Sequence, residues 1–199
     1  EEKLKKLRKE LQKANRVGLE QQDNNFRFQF EVDADSFWKD EVLVSVDMAY
    51  NKGISDIGPL QGMPVTDLDI RQTSVVDLSP LKDVPLKHLK ADKTEIRNLY
   101  PLKGKALRTL YVKRAPVVNH RIISGMPLKN LSLSGERVKD EGILDGLRLK
   151  KLYLHKVGFD DYDFLKDMPL THLEISWSSF SKLRYLKGKE LRSLDIPGA

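Results

Sequence analysis

Basic residues recur at a fixed interval through the middle of the chain: Lys87, Arg108, Lys129 and Lys150 are each 21 residues apart. Around them stand Lys90, Lys93, Lys113, Arg114, Lys151 and Lys156, with Tyr111, Tyr153 and His155 interleaved and Trp177 at the border. Cations mixed with aromatic rings suit an acidic protein or peptide: the charges steer and pair, and the rings supply rigid contact area. The same cluster also fits a solvated lysine-rich surface, and composition alone leaves both readings open. An anionic glycan or nucleic acid is the alternative ligand, although no nucleic-acid-binding motif is present.

His120, Glu141 and Tyr162 share the same 21-residue interval and would suit acid–base chemistry. No nucleophile motif or glycine-rich phosphate loop lies beside them, so a structural hydrogen-bond set or an outward turn is the expected explanation. The absence of cysteine excludes thiolate catalysis, disulfides and zinc sites built on sulfur. His155 and His172 are expected on adjacent strands roughly 13 Å apart, too far to share a metal, and His88 has no histidine neighbour. No catalytic residue, cofactor or metal site is therefore expected. Asn130-Leu131-Ser132 fits a glycosylation acceptor by pattern, but an expected strand position makes it coincidence.

These residues need a scaffold that repeats every 21 positions. The chain has 199 residues, 40% of them hydrophobic, enough for one sizeable core. Its formal charge is +6, which favours acidic partners only if the cations cluster. No apolar run approaches the roughly 18 residues of a membrane span. The start has neither a signal peptide nor an initiator methionine, so it reads as a processed or trimmed end.

Cut before each recurring apolar-x-x-Leu, the chain gives VTDLDIRQTSVVDLSPLKDVP (65 to 85), LKHLKADKTEIRNLYPLKGKA (86 to 106) and LRTLYVKRAPVVNHRIISGMP (107 to 127). LKNLSLSGERVKDEGILDGLR, LKKLYLHKVGFDDYDFLKDMP and LTHLEISWSSFSKLRYLKGKE continue the register to 190. An earlier unit, 43 to 64, carries one extra residue after Asn51, and LRSLDIPGA starts another at the end. The pattern resembles the leucine-rich repeat family, in the short form of the bacterial internalin type, over about residues 43 to 196.

The resemblance implies an α/β leucine-rich-repeat solenoid, right-handed, with a parallel concave sheet and an irregular, 3-10 or short helical convex return. Leu68, Leu89, Leu110, Leu131, Leu152, Leu173 and Leu194 fall on one core ladder. Ile70, Ala91, Val112, Leu133, Leu154, Ile175 and Ile196 form a second, two places on. Pro80 and Pro101 suit the first turn of a convex helix, where no amide bond is lost. The stretch 138 to 147 looks like a subtype with a helical return and Asp140 as its N-cap. The Asn position of the family reads Ala115, Glu136 and Val157 in later units, so no continuous side-chain ladder is expected there.

Residues 1–42 are expected to form a cap, with Leu4, Leu7, Leu11 and Ala14 on one helical face, followed by a hairpin of 26–32 with 41–48. Residues 43–199 form the solenoid in this division. The C-terminal edge is expected to meet further repeats or another chain, because an open apolar edge promotes association. Ten of the twenty outward slots on the four strands between 86 and 156 are basic, against one acid, Asp92. The family implies interaction rather than catalysis, and often belongs to longer receptors, surface proteins or kinases. An exported or cell-surface location follows from the resemblance alone.

Overall fold

The structure is a computed structural model that describes residues 2–15, 27–31 and 42–198. It opens on helix α1 (Glu2–Ala14), where Leu7 and Leu11 are buried and Ala14 is partly so. The side chain of Leu4 lies outside the described set. Asn15 ends the helix by pinning it to the first repeat: its Nδ2 donates to the Asp56 carbonyl at 2.7 Å, and its Oδ1 accepts from the Ser55 and Asp56 amides, each at 2.6 Å.

Strand β1 (Arg27–Glu31) pairs antiparallel with β2 (Val42–Asp47), with an irregularity between Gln29 and Phe30. The connection expected over 33–40 lies outside the described residues. From β2 onward every strand is parallel to the next and follows sequence order: β3 (Asp67–Asp69), β4 (His88–Lys90), β5 (Thr109–Tyr111), β6 (Asn130–Ser134), β7 (Lys151–His155), β8 (His172–Ser176) and β9 (Ser193–Asp195). The register steps by one repeat at a time, pairing Leu68 with Leu89, Leu110, Leu131, Leu152, Leu173 and Leu194 in succession. Opposite Val46 stands Leu68, so the extra residue of the first unit is absorbed before the sheet resumes.

Number the places in a unit from 1 at its first leucine. Places 4 and 6 then point into the core, and their residues from Leu68 to Ile175 are buried. Val75, Ile96, Val117, Val138, Phe159 and Phe180 close the core from the turn at place 11. Each return contains a short 3-10 helix, and Pro80 and Pro101 occupy the first turns of theirs, as expected from their lack of an N–H.

Two expectations about the later returns need correcting. The return after Asp140 is 3-10 (Glu141–Leu144), like its neighbours, and Asp140 makes no capping hydrogen bond. Its carboxylate instead accepts Arg121 Nε at 3.0 Å. Nor do His120, Glu141 and Tyr162 form a hydrogen-bonded set. Place 14 is a buried apolar residue in the early units (Ile57, Leu78, Leu99), and its polar replacements are compensated two residues on. Where Pro80 and Pro101 stood, the chain has Ile122, Ile143, Phe164 and Tyr185, of which Ile143 and Tyr185 are buried. The convex core thus shifts from place 14 to place 16. Tyr162 stays buried in an aromatic cluster, its ring 5.9 Å from Phe159, 5.8 Å from Phe164 and 5.0 Å from Phe180. At the far end all three residues of β9 are exposed, and Leu183 joins Leu194 among the exposed apolar side chains. No helix among the described residues is long and apolar enough to cross a membrane.

Candidate interaction face

The pleat turns places 3, 5 and 7 away from the core, with places 2 and 8 at the two ends of the strands. Place 2 carries Lys87, Arg108, Lys129 and Lys150, all exposed and without an ion-pair partner among the described residues. Adjacent members are held roughly 4.8 Å apart at the backbone. Like charges at that spacing repel, so the side chains splay into solvent and the row presents a continuous positive edge. Lys151, at place 3, is half-buried beside it.

The centre of the face is less basic than its sequence suggests, because acids reach across it. Asp69 accepts Arg71 Nη2 at 2.7 Å and Nε at 2.9 Å, and Lys90 lies 3.6 Å from the same carboxylate. Glu174 pairs with Lys113 from three repeats away. Asp92 sits among the cations, accepting the Ser132 hydroxyl at 2.8 Å and the Lys113 amide at 2.6 Å. Lys90 and Lys113 are thus engaged, whereas Lys93, Arg114 and Lys156 are exposed.

Burial pushes the Asp92 carboxyl up despite these hydrogen bonds. The folded protein holds that proton more tightly than the unfolded chain does. This contribution to stability is present below the ordinary value of 3.8 and is lost as pH rises through the raised one. Asn keeps an oxygen for both donors and carries no charge, so Asp92→Asn is expected to raise stability at pH 7 and leave it unchanged below about pH 3.8. Chemical denaturation at several pH values measures both.

Tyr111 and Tyr153 stand side by side in the middle of the face, edge to face at 5.8 Å between ring centroids. Such a pair adds about 0.5–1.5 kcal/mol beyond burial and holds both rings in place. Burial lifts the Tyr111 hydroxyl to about 12, so it remains a neutral hydrogen-bonding group. His155 is held below its ordinary value by burial and by Lys113, Arg114 and Lys156, while its Nδ1 is 2.9 Å from the Ser176 hydroxyl. Removing the Arg114 charge is expected to move the His155 titration upward toward 6.5, which NMR of the imidazole carbons measures directly.

Two other histidines have structural partners: His88 Nδ1 is 2.9 Å from Thr109 Oγ1, and His172 Nδ1 is 2.9 Å from Thr171 Oγ1. Asn130 Nδ2 donates to Thr109 Oγ1 at 3.0 Å, on strand β6. No cluster of three or more metal-ligating side chains occurs among the described residues.

Place 8, in the turn after each strand, lies in the left-handed region. Gln72, Lys93, Arg114, Lys156 and Trp177 have φ between 53° and 61°, and Gly135 has φ 122°. L-residues other than Asn and Asp enter that region at a cost of about 1–3 kcal/mol. The repeat geometry imposes it in every unit, from Tyr50 (φ 64°) to Gly198 (φ 71°), projecting large side chains in a row along the other edge of the face. Trp177 is 61% exposed there. Sequence reasoning found Lys93, Arg114 and Lys156 as charges and Trp177 as a bordering ring but missed the shared conformation, the ion pair that spans repeats, and the gap at Gly135.

No protein-family model and no curated protein sequence matches the chain. Among solved structures, internalin C2 from Listeria monocytogenes superposes with a TM-score of 0.67 at 23% identity, covering 77% of this chain and 71% of that one. At that identity the likeness concerns the fold, and with an in-register parallel ladder stepping by 21 residues it identifies the chain as an internalin-like leucine-rich-repeat solenoid.

Proposed function

We propose that this chain is a non-enzymatic binding module whose sheet face docks an acidic protein surface. The observation that carries the reading is the pair of unneutralised cationic edges, Lys87 to Lys150 on one side and Lys93, Arg114 and Lys156 on the other, flanking the rigid Tyr111–Tyr153 pair. A solvated surface would need no aromatic anchor between its charges. Lys151 and Trp177 extend the contact, and His155 adds a further hydrogen-bonding group beside Lys156. Lys90 and Lys113 act through their ion pairs, holding Asp69 and Glu174 in place more than meeting the partner.

Partner capture from cells of the source organism tests this, with the unaltered chain compared against Lys129→Glu/Lys150→Glu/Lys151→Glu. These three are chosen because none has an ion pair whose loss would confuse binding with folding. A partner retained by the first and lost by the second supports the reading. Equal retention by both chains overturns it.

A further inference from the structure

The row of left-handed residues along the edge has one interior gap, at Gly135, and the turns next to it are joined differently from the others. In the turns, the amide at place 10 donates to the carbonyl at place 11 of the preceding unit: Ser74 to Ile54 at 2.8 Å, Glu95 to Val75 at 3.1 Å, Gly158 to Val138 at 3.0 Å. In the unit 107–127 that position is Pro116, which has no N–H to give. Val118 bonds to the Arg97 carbonyl instead, at 3.0 Å, and no bond joins the Arg137 amide to Val117 among the described residues. The turn of this unit is therefore joined differently to the turns on either side.

Two open hollows, of about 710 Å³ and 480 Å³, adjoin this break and share Arg114, Ser134, Gly135, Glu136 and Arg137 in their walls. Their meeting point is Gly135, where the edge row carries no side chain between Arg114 and Lys156. Arg114, Arg137 and Lys156 bring three cations to the larger hollow against one acid, Glu136. Trp177 closes its end, with the indole resting on Gly198: a Cβ added there would lie 3.1 Å from the ring.

We infer that the notch at Gly135 receives a single acidic side chain from an extended segment of the partner, with an adjacent apolar residue against Trp177. This rests on the reading of the face as a protein-docking surface and names what one part of it recognises. A carboxylate placed between Arg114 and Lys156 gains charge-assisted hydrogen bonds from both. Nucleic acid fits less well. A continuous polyanion would favour a cation at every step of the edge, and this row loses its cation at the centre and puts Glu136 beside the gap.

Gly135→Lys separates shape from charge. It restores the cation found in the neighbouring units and adds net positive charge while filling the notch. A Cβ there meets only Val138, at 4.0 Å, but the φ of 122° strains any side chain, so urea unfolding of the variant accompanies the binding measurement and Arg114→Asn supplies the test free of that strain. The probe is a synthetic peptide with glutamates flanking one phenylalanine, with its glutamine counterpart and a single-stranded oligonucleotide as controls, followed by amide NMR.

The glutamate peptide is expected to shift the Gly135 and Arg137 amides and the Trp177 indole N–H, and the glutamine peptide to leave them in place. Gly135→Lys is expected to weaken binding about tenfold, and Arg114→Asn, which tolerates the left-handed backbone, to do the same. Equal or tighter binding by Gly135→Lys overturns the inference, as does tighter binding of the oligonucleotide than of the peptide at these residues. Should capture of the natural partner fall with the Lys129/Lys150/Lys151 reversal yet be indifferent to both notch variants, the docking reading stands and the notch assignment fails.

Discussion

Leu152→Ala is expected to lower the unfolding free energy by about 3 kcal/mol, within the roughly 2–5 kcal/mol typical of buried leucine truncation. Leu152 is fully buried on β7, between Leu131 and Leu173 in the ladder. Truncation leaves a cavity that the neighbouring units cannot close without breaking register on both sides. The backbone ladder joins each repeat only to its neighbours, so a weak link in the middle weakens the coupling between the two halves of the array and lowers its cooperativity. Leu194 occupies the equivalent place at the exposed end and is 47% exposed, so Leu194→Ala is expected to cost less than about 1 kcal/mol. Urea unfolding of the two variants measures the contrast. Equal losses would mean that burial at place 4 is not what holds the solenoid together.

The second large effect is on binding. Reversing Lys129, Lys150 and Lys151 replaces three positive charges with three negative ones along one edge, and is expected to weaken binding of the acidic partner about 100-fold at low salt. Charges at a solvated rim act mainly by steering, so the loss should appear chiefly in the association rate and shrink as salt approaches 0.5 M. Association and dissociation rates measured at low and high salt check this. The chain's stability should change little, because Lys129 and Lys150 are exposed and make no ion pair among the described residues.

The repeat made most of the architecture legible from the sequence. Once Leu68 through Leu194 fall on one ladder, parallel pairing and the burial of places 4, 6 and 11 follow from a period of 21 and a pleat of 2. What a repeat does not encode is contact between places that differ from one unit to the next. Lys113 and Glu174 lie 61 residues apart and occupy different places in their units, so no spacing argument joins them. The central lysines therefore looked freer in the sequence than they are.

The shift of the convex core had a readable signal, since proline gives way to Ile122, Ile143, Phe164 and Tyr185 as place 14 turns polar. Reading one column at a time made His120, Glu141 and Tyr162 look like a set, whereas the compensation lies in the neighbouring column. Pro116 was equally visible, but its consequence depended on knowing which amide bridges adjacent turns. Lys105 gives a parallel case. It stands where other units carry Val84, Met126 or Met168, and its Nζ donates to the Lys82 and Val84 carbonyls, each at 2.7 Å.

Chemical labelling of lysine amines, read by mass spectrometry with and without the bound partner, tests the docking face most directly. The chain carries its own control: Lys87, Lys129, Lys150 and Lys156 are exposed along the edges of the sheet face, while Lys82, Lys103, Lys166 and Lys187 are exposed on the returns. Docking on the sheet face predicts that the partner protects the first four and leaves the second four as reactive as in the free chain. Protection of the return lysines with unchanged labelling at Lys87, Lys129, Lys150 and Lys156 would contradict it.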